Sequence, residues 1–138
     1  MENLLAKILE KKQFKFRYRG VLSDHEVSIH LPDLTGKEYN TWGDWGPMYQ
    51  FKLNSDYPIS IEINSQTGLS ETLRVHLSIL RIESPMSATE REEYPLFMTI
   101  PIEDRNSKIE LYFNRYGELG DVRSRLDTKN FEPIRETL

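Results

Sequence analysis

Short stretches in which apolar and polar residues alternate recur along this chain of 138 residues. Successive side chains of a β-strand point to opposite faces, so this period predicts strands with one apolar face and one wet face. Sheets built from such strands are typically antiparallel. We therefore expect a mainly antiparallel β-sheet of about six to seven strands. The apolar members of the seven stretches are Phe14, Phe16 and Tyr18; Val27, Ile29 and Leu31; Tyr49, Phe51 and Leu53; Ile59, Ile61 and Ile63; Leu73, Val75, Leu77 and Ile79; Leu96, Met98, Ile100 and Ile102; and Ile109, Leu111 and Phe113.

The first residues follow a different period. Leu4, Leu5, Ile8 and Leu9 recur at the spacing of one helix face, which predicts an N-terminal amphipathic helix packed on the sheet. No helical pattern long enough for repeated crossovers separates the strands, which disfavours a parallel sheet. After Gly120 the chain is polar with widely spaced apolar residues, and we expect a short C-terminal helix there. The predicted class is α+β, and a seven-stranded sandwich with the helix at one end is the alternative.

Proline also limits the strand predicted near residue 100. Pro95 and Pro101 flank or interrupt the apolar face that Leu96 begins. Proline has no backbone N–H to donate, so it is usually confined to edge strands and bulges. We expect this strand at a sheet edge or with a bulge.

The length and composition fit one domain, residues 1–138, with an ordinary hydrophobic core. The longest uncharged apolar run, residues 95–102, is far shorter than the roughly 20 residues of a membrane helix. Glu2 and the other charges of the first residues do not suit a secretory signal, so a cytoplasmic location is expected. The chain has no cysteine, which excludes disulfides, thiol nucleophiles and sulfur-ligated metals.

The charge is unevenly distributed along the chain. Residues 1–20 contain six Lys or Arg and two Glu, a local net charge of +4. Because the whole chain carries −4, residues 21–138 carry −8. An acidic body repels phosphate, which argues against nucleic-acid binding. It favours a protein partner with a basic surface.

Catalytic and metal-binding patterns are not found in the sequence. His30 and His76 fall on the polar faces of predicted strands and, with Glu62 on a third strand, could form a metal site only if their strands were neighbours. No nucleophile elbow, phosphate loop or dinucleotide fingerprint occurs. Acidic clusters at residues 90–93 and 103–104 fall in segments with loop character, where solvated charge is usual. We expect no catalytic residue, cofactor or metal, and no enzymatic activity.

One predicted strand has a basic face, formed by Lys15, Arg17 and Arg19. Single-stranded nucleic acid would need aromatic side chains beside these cations for base stacking. The aromatic residues of the strand point to its other face, so we expect instead cross-strand pairing with acids such as Glu62 or Glu110.

Residues 39–51 read YNTWGDWGPMYQF and contain both tryptophans of the chain. The segment has neither a helix nor a strand period, so we expect a loop that either covers the core or presents a binding surface. Large aromatic side chains are enriched at interface hot spots, and an acid between two indoles suits a cationic partner side chain. The candidate partner-binding residues are Tyr39, Trp42, Asp44, Trp45 and Tyr49.

In size, acidic charge and mixed helix-and-sheet pattern, the chain resembles bacterial immunity proteins of polymorphic and contact-dependent toxin systems. The resemblance rests on no motif, so it assigns no functional residue. It implies a small cytoplasmic protein, monomeric or homodimeric, that neutralises a cognate toxin domain by docking on it. A secretion-type chaperone or adaptor is the alternative, followed by a small-ligand-binding protein or enzyme that uses the tryptophan segment as a pocket wall.

Overall fold

A computed structural model describes residues 2–19, 24–34, 38–43, 46–53, 58–65, 68, 70–102, 107–124 and 131–133. Two helices are present in this part of the chain, α1 (Glu2–Glu10) and α2 (Ala88–Glu93). The strands are β1 (Gln13–Arg19), β2 (Asp24–His30), β3 (Glu38–Gly43), β4 (Gly46–Lys52), β5 (Ile59–Ser65), β6 (Ser70–Val75), β7 (Ile79–Glu83), β8 (Leu96–Ile102), β9 (Ser107–Phe113), β10 (Leu119–Ser124) and β11 (Phe131–Pro133).

The described strands form two antiparallel sheets. Sheet A has the order β11-β1-β2-β5-β6, and sheet B has the order β10-β9-β8-β7-β4-β3. Every strand pair in both sheets is antiparallel. The predicted α+β class and antiparallel pairing are therefore confirmed. The predicted number of strands is too low, and the division into two sheets is closer to the sandwich alternative.

Apolar faces of both sheets contribute to one hydrophobic core. Phe14 of sheet A and Phe113 of sheet B meet there, with their ring centroids 5.2 Å apart. The alternation of the sequence explains the arrangement, because every second residue of each central strand turns inward. The fully buried side chains include Ile8, Phe16, Ile29, Phe51, Ile59, Ile61, Leu80, Ile82, Leu96, Met98, Ile100 and Phe113.

Helix α1 packs on this core, as its apolar stripe predicts. Leu4, Leu5 and Ile8 are buried in the core cluster, and Leu9 packs partly buried against it. Lys11, which directly follows the helix, reaches the turn between β9 and β10, where its ammonium donates a hydrogen bond to the Gly117 carbonyl at 3.2 Å.

Several predicted elements are corrected by the structure. Strand β3 lies in the segment predicted as a loop, and β4, predicted as a strand only from Tyr49 onward, begins at Gly46. Cross-strand pairing and burial override the lack of a period in this segment. The run predicted as one strand from Leu73 to Ile79 is divided between β6 of sheet A and the start of β7 of sheet B. A bend at Ser78 separates the two strands.

The proline-flanked strand and the tail also differ from expectation. Strand β8 lies inside sheet B, between β7 and β9. Its pairing with β7 extends only from Phe97 to Thr99, so Pro101 lies beyond it and pairs in register only with Lys108 of β9. The tail after Gly120 forms strands β10 and β11 where it is described, so the predicted C-terminal helix is not found within residues 119–124 or 131–133.

Candidate functional site

The predicted partner-binding segment forms a β-hairpin at one edge of sheet B. Strand β3 pairs with β4 from Glu38 opposite Phe51 to Gly43 opposite Gly46. The register places Tyr39 opposite Gln50 and Trp42 opposite Pro47. The backbone of these two residues is described, whereas their side chains, and all of Asp44 and Trp45, lie outside the described part of the chain.

Tyr49 corrects the predicted set. Its side chain is only 4% exposed and belongs to the hydrophobic core. The reason is its position on β4, where Tyr49 and Phe51 lie on the inward face and pair in register with Ile82 and Leu80 of β7. A residue so placed stabilises the hairpin against the sheet and offers no surface to a partner.

A second cluster, which the sequence did not reveal, lies on sheet B outside the main core. Phe97 of β8 and Tyr112 of β9 are paired in register, and their rings stack with centroids 4.9 Å apart and an interplanar angle of 12°. Both side chains are buried, although neither belongs to the core cluster. The ring centroids of Tyr94 and Tyr112 lie 5.8 Å apart in an edge-to-face arrangement. The Tyr94 hydroxyl donates a hydrogen bond to the Gly120 carbonyl at 3.4 Å.

Arg123 of β10 covers this aromatic group. Its guanidinium lies over the Tyr112 ring, 4.0 Å from the centroid, within the range of a cation–π contact. Its Nε donates to the Asp121 carboxylate at 2.9 Å, and its Nη1 forms an ion pair with Glu90 of α2. The two carboxylates and the ring therefore hold the guanidinium from three directions. We call Tyr94, Phe97, Tyr112, Arg123, Asp121 and Glu90 the arginine–tyrosine cluster.

The electrostatics of this cluster follow from its burial. Burial is the main cause that raises the pKa of Tyr112 to about 12, and the Glu110 carboxylate adds to it. Burial and the neighbouring Glu93 carboxylate raise the pKa of Tyr94 above its ordinary value. Burial lowers the pKa of Arg123, but the hydrogen bonds to Asp121 and Glu90 outweigh it and raise the pKa overall. Arg123 thus remains charged and both phenols remain neutral at physiological pH.

The cluster attaches helix α2 to the sheet. This helix buries none of its own residues. Ser87 caps its N-terminus through a hydrogen bond from the Glu90 amide, and Arg91 donates to the carbonyls of Pro85 and Met86. The Glu90 ion pair joins the helix to β10. Residues 90–93, predicted as loop, therefore belong to a helix whose first acid has a structural role, while Glu103 and Asp104 lie outside the described residues.

His30 and His76 do not lie on neighbouring strands, which was the condition for a metal site that includes both. Strand β5 separates β2, which carries His30, from β6, which precedes His76. His30 instead meets Glu62 of β5, with Nε2 and Oε2 3.4 Å apart. Among the described residues, no group of three His, Asp or Glu side chains is arranged to hold a metal ion.

The basic face of β1 faces acids other than those predicted. Arg17 lies opposite Glu26 of β2 on one side and Glu132 of β11 on the other, and Arg19 lies opposite Asp24. The predicted partners are wrong because β5, which carries Glu62, does not adjoin β1, and Glu110 belongs to sheet B. The expectation that the cations stand opposite acids is confirmed in the strand register for Arg17 and Arg19, whereas Lys15 lies opposite Ser28.

Comparison with known proteins found no matching family model, no matching curated protein and no matching solved structure. Within the described ranges, neither helix has the length and apolar character needed to cross a membrane.

Proposed function

We propose that this protein is an immunity protein that neutralises a cognate toxin domain by binding directly to it. The observation that carries the proposal is the position of the tryptophan hairpin, β3 and β4. Strand β3 is the terminal strand of sheet B, and among the described strands it has a neighbour only in β4. Tyr39 and Trp42 belong to this edge, and Asp44 and Trp45 follow directly in sequence. Edge strands are common features of binding surfaces.

The charge supports a partner of opposite sign. Residues 21–138 carry −8, and the tryptophan hairpin itself carries −1, from Glu38, Asp44 and Lys52. Complementary charge across an interface accelerates encounter and disfavours wrong partners. A toxin domain that acts on nucleic acid or another anionic substrate has a cationic cleft, and an acidic docking protein can block such a cleft.

Site-specific crosslinking tests this proposal in the native host. A photoreactive phenylalanine analogue replaces Trp42 in one variant and Arg74, at the β6 edge of the other sheet, in a matched control. We expect a discrete crosslinked protein from position 42 and not from position 74. Mass spectrometry identifies the partner, and its expression alone should arrest growth unless this protein is co-expressed. A harmless partner, or equal crosslinking from both positions, would contradict the proposal.

Two substitutions then separate binding from folding. With the purified partner, Trp42→Ala and Asp44→Lys should raise Kd by at least about tenfold, which corresponds to about 1.4 kcal/mol. The thermal midpoint should stay close to that of the wild type. A loss of several kcal/mol of folding stability, as is usual when core aromatics are truncated, would show instead that these side chains are structural.

A further inference from the structure

The direction of the backbone hydrogen bonds in β4 is fixed by two contacts with the β7 side. The Ser84 amide donates to the Pro47 carbonyl at 3.3 Å, and the Leu53 amide donates to the Ser78 carbonyl at 2.8 Å. In an antiparallel sheet, the backbone groups of successive residues alternate between the two neighbouring strands. The odd-numbered residues of β4 therefore bond to β7, and the even-numbered residues bond to β3.

The same alternation determines which backbone N–H and C=O groups of β3 form hydrogen bonds with β4. The register opposes Tyr39 to Gln50, Thr41 to Met48 and Gly43 to Gly46, all even positions of β4. The N–H and C=O groups of Glu38, Asn40 and Trp42 consequently point away from β4. Pro47 opposite Trp42 agrees with this assignment, because proline has no N–H to donate across that pair.

Within the described residues, the other terminal strands have protection that β3 lacks. Strands β10 and β11, at the ends of the two sheets, contact each other. Strand β6 carries Glu71 and Arg74, and charged residues on an edge discourage the addition of another strand. Strand β3 reads EYNTWG and has no charged residue after Glu38. Its outward backbone groups therefore form the least protected edge among the described strands.

We infer that β3 accepts an extended, cationic segment of a partner protein as an additional strand of sheet B. The inference rests on the proposed function and specifies how the partner binds. Main-chain hydrogen bonds to Glu38, Asn40 and Trp42 supply the pairing, and the net charge of −8 on residues 21–138 favours a strand with basic side chains. A second copy of this chain carries the same net charge of −4, so charge disfavours pairing of β3 with itself.

Amide hydrogen exchange on the full-length protein tests the inference. In the free protein, the amides of Asn40 and Trp42 should exchange much faster than those of Tyr39 and Thr41. The probe is an end-blocked hexapeptide of alternating lysine and threonine, added at millimolar concentration. It should slow exchange at Asn40 and Trp42 at least severalfold and leave the amides of β6 unchanged. A peptide with glutamate in place of lysine, and one N-methylated along one edge, should both have no effect.

A proline substitution provides the matched variant. Asn40→Pro removes an N–H that makes no bond to β4, so it should abolish the peptide effect while preserving the fold. If this variant does not fold, the N-methylated peptide performs the same test on the wild-type protein. Unchanged exchange at Asn40 and Trp42 with the lysine peptide would overturn the inference. So would protection in the free protein that increases with its concentration, because a second copy would then occupy the edge.

The inference and the proposed function can fail separately. A toxic partner that crosslinks at position 42 and is neutralised, yet leaves the Asn40 and Trp42 amides unprotected, would overturn the inference alone. Protection by the lysine peptide without any neutralised toxin would support strand addition and contradict the immunity function.

Discussion

The guanidinium carbon of Arg123 lies 4.0 Å from the centroid of the Tyr112 ring while the same side chain bonds to Asp121 and Glu90. One cation thus joins strand β10, the aromatic pair on sheet B and helix α2. The contact is partly exposed, since 29% of the Arg123 side chain is accessible to solvent. We therefore expect Arg123 to contribute less to the folding stability than a buried core residue does.

Replacement of Arg123 should remove its contacts with Asp121 and Glu90 and lower the stability of the fold. Arg123→Met keeps much of the apolar stem but leaves Asp121 and Glu90 without their cation. We expect a loss of about 1–2 kcal/mol in the free energy of unfolding, because partly exposed charge-assisted bonds contribute less than buried ones. Denaturant unfolding measures the change. Arg115→Met, at an exposed position of the turn after β9, is the control and should change stability by less than about 0.5 kcal/mol. Equal effects of the two variants would contradict a specific role for Arg123.

The raised pKa of Tyr112 predicts alkaline destabilisation. Burial, its main cause, favours the neutral phenol, so the folded state binds more protons than the unfolded state between pH 10 and about pH 12. Stability that is complete below pH 10 should then fall as the pH rises towards about 12, by roughly 2 kcal/mol in all. Urea unfolding at a series of pH values measures this slope, and tyrosinate absorbance follows the titration. Tyr112→Phe should flatten the slope, whereas Tyr116→Phe, at a side chain that is 63% exposed, should not.

Substitution of Gly117, in the turn between β9 and β10, should cost more stability than substitution of Gly68, which lies between β5 and β6. Gly117 and Gly68 both have positive φ, 78° and 89° respectively. A β-carbon at 117 would lie 2.9 Å from the Lys7 β-carbon of helix α1, whereas a β-carbon at 68 would meet nothing within 4 Å. Gly68→Ala should therefore show only the backbone cost of about 1 kcal/mol.

Gly117→Ala adds a steric conflict with helix α1 to that backbone cost. We expect its unfolding free energy to fall by at least about 1 kcal/mol more than that of Gly68→Ala, in the range of overpacking penalties. Thermal and denaturant unfolding of both variants give the comparison. Equal losses would mean that α1 moves away without cost and contributes little at this contact.

Phe14 and Phe113 join the two sheets, and both are almost fully buried. Phe113→Ala should lower the unfolding free energy by about 3–5 kcal/mol. A double-mutant cycle with Phe14→Ala should give a coupling of about 0.5–1.5 kcal/mol, as expected for a tilted aromatic pair. Met86→Ala, at a side chain that is 67% exposed, is the control and should be almost neutral. Strict additivity of the two phenylalanine substitutions would show that the rings do not interact energetically.

The sequence determined the elements whose residues alternate regularly. The alternation at Phe14 and Phe16, and at Ile59 and Ile61, predicts strands that the structure contains, because a period of two can bury only one strand face. The helix stripe that includes Ile8 placed α1 on the core for the same reason. These predictions need only the local geometry of the backbone.

Tertiary structure alone decided which strands are neighbours and which polar residues meet. Nothing in the spacing of Glu90, Tyr112 and Arg123 brings them together; the order of sheet B and the position of α2 do so. The same order buries Tyr49 and leaves β3 at an edge. The local period of a segment determines which face of a strand is apolar. The pairing of strands depends on contacts between residues far apart in sequence, and the pattern of a single segment carries no information about those contacts.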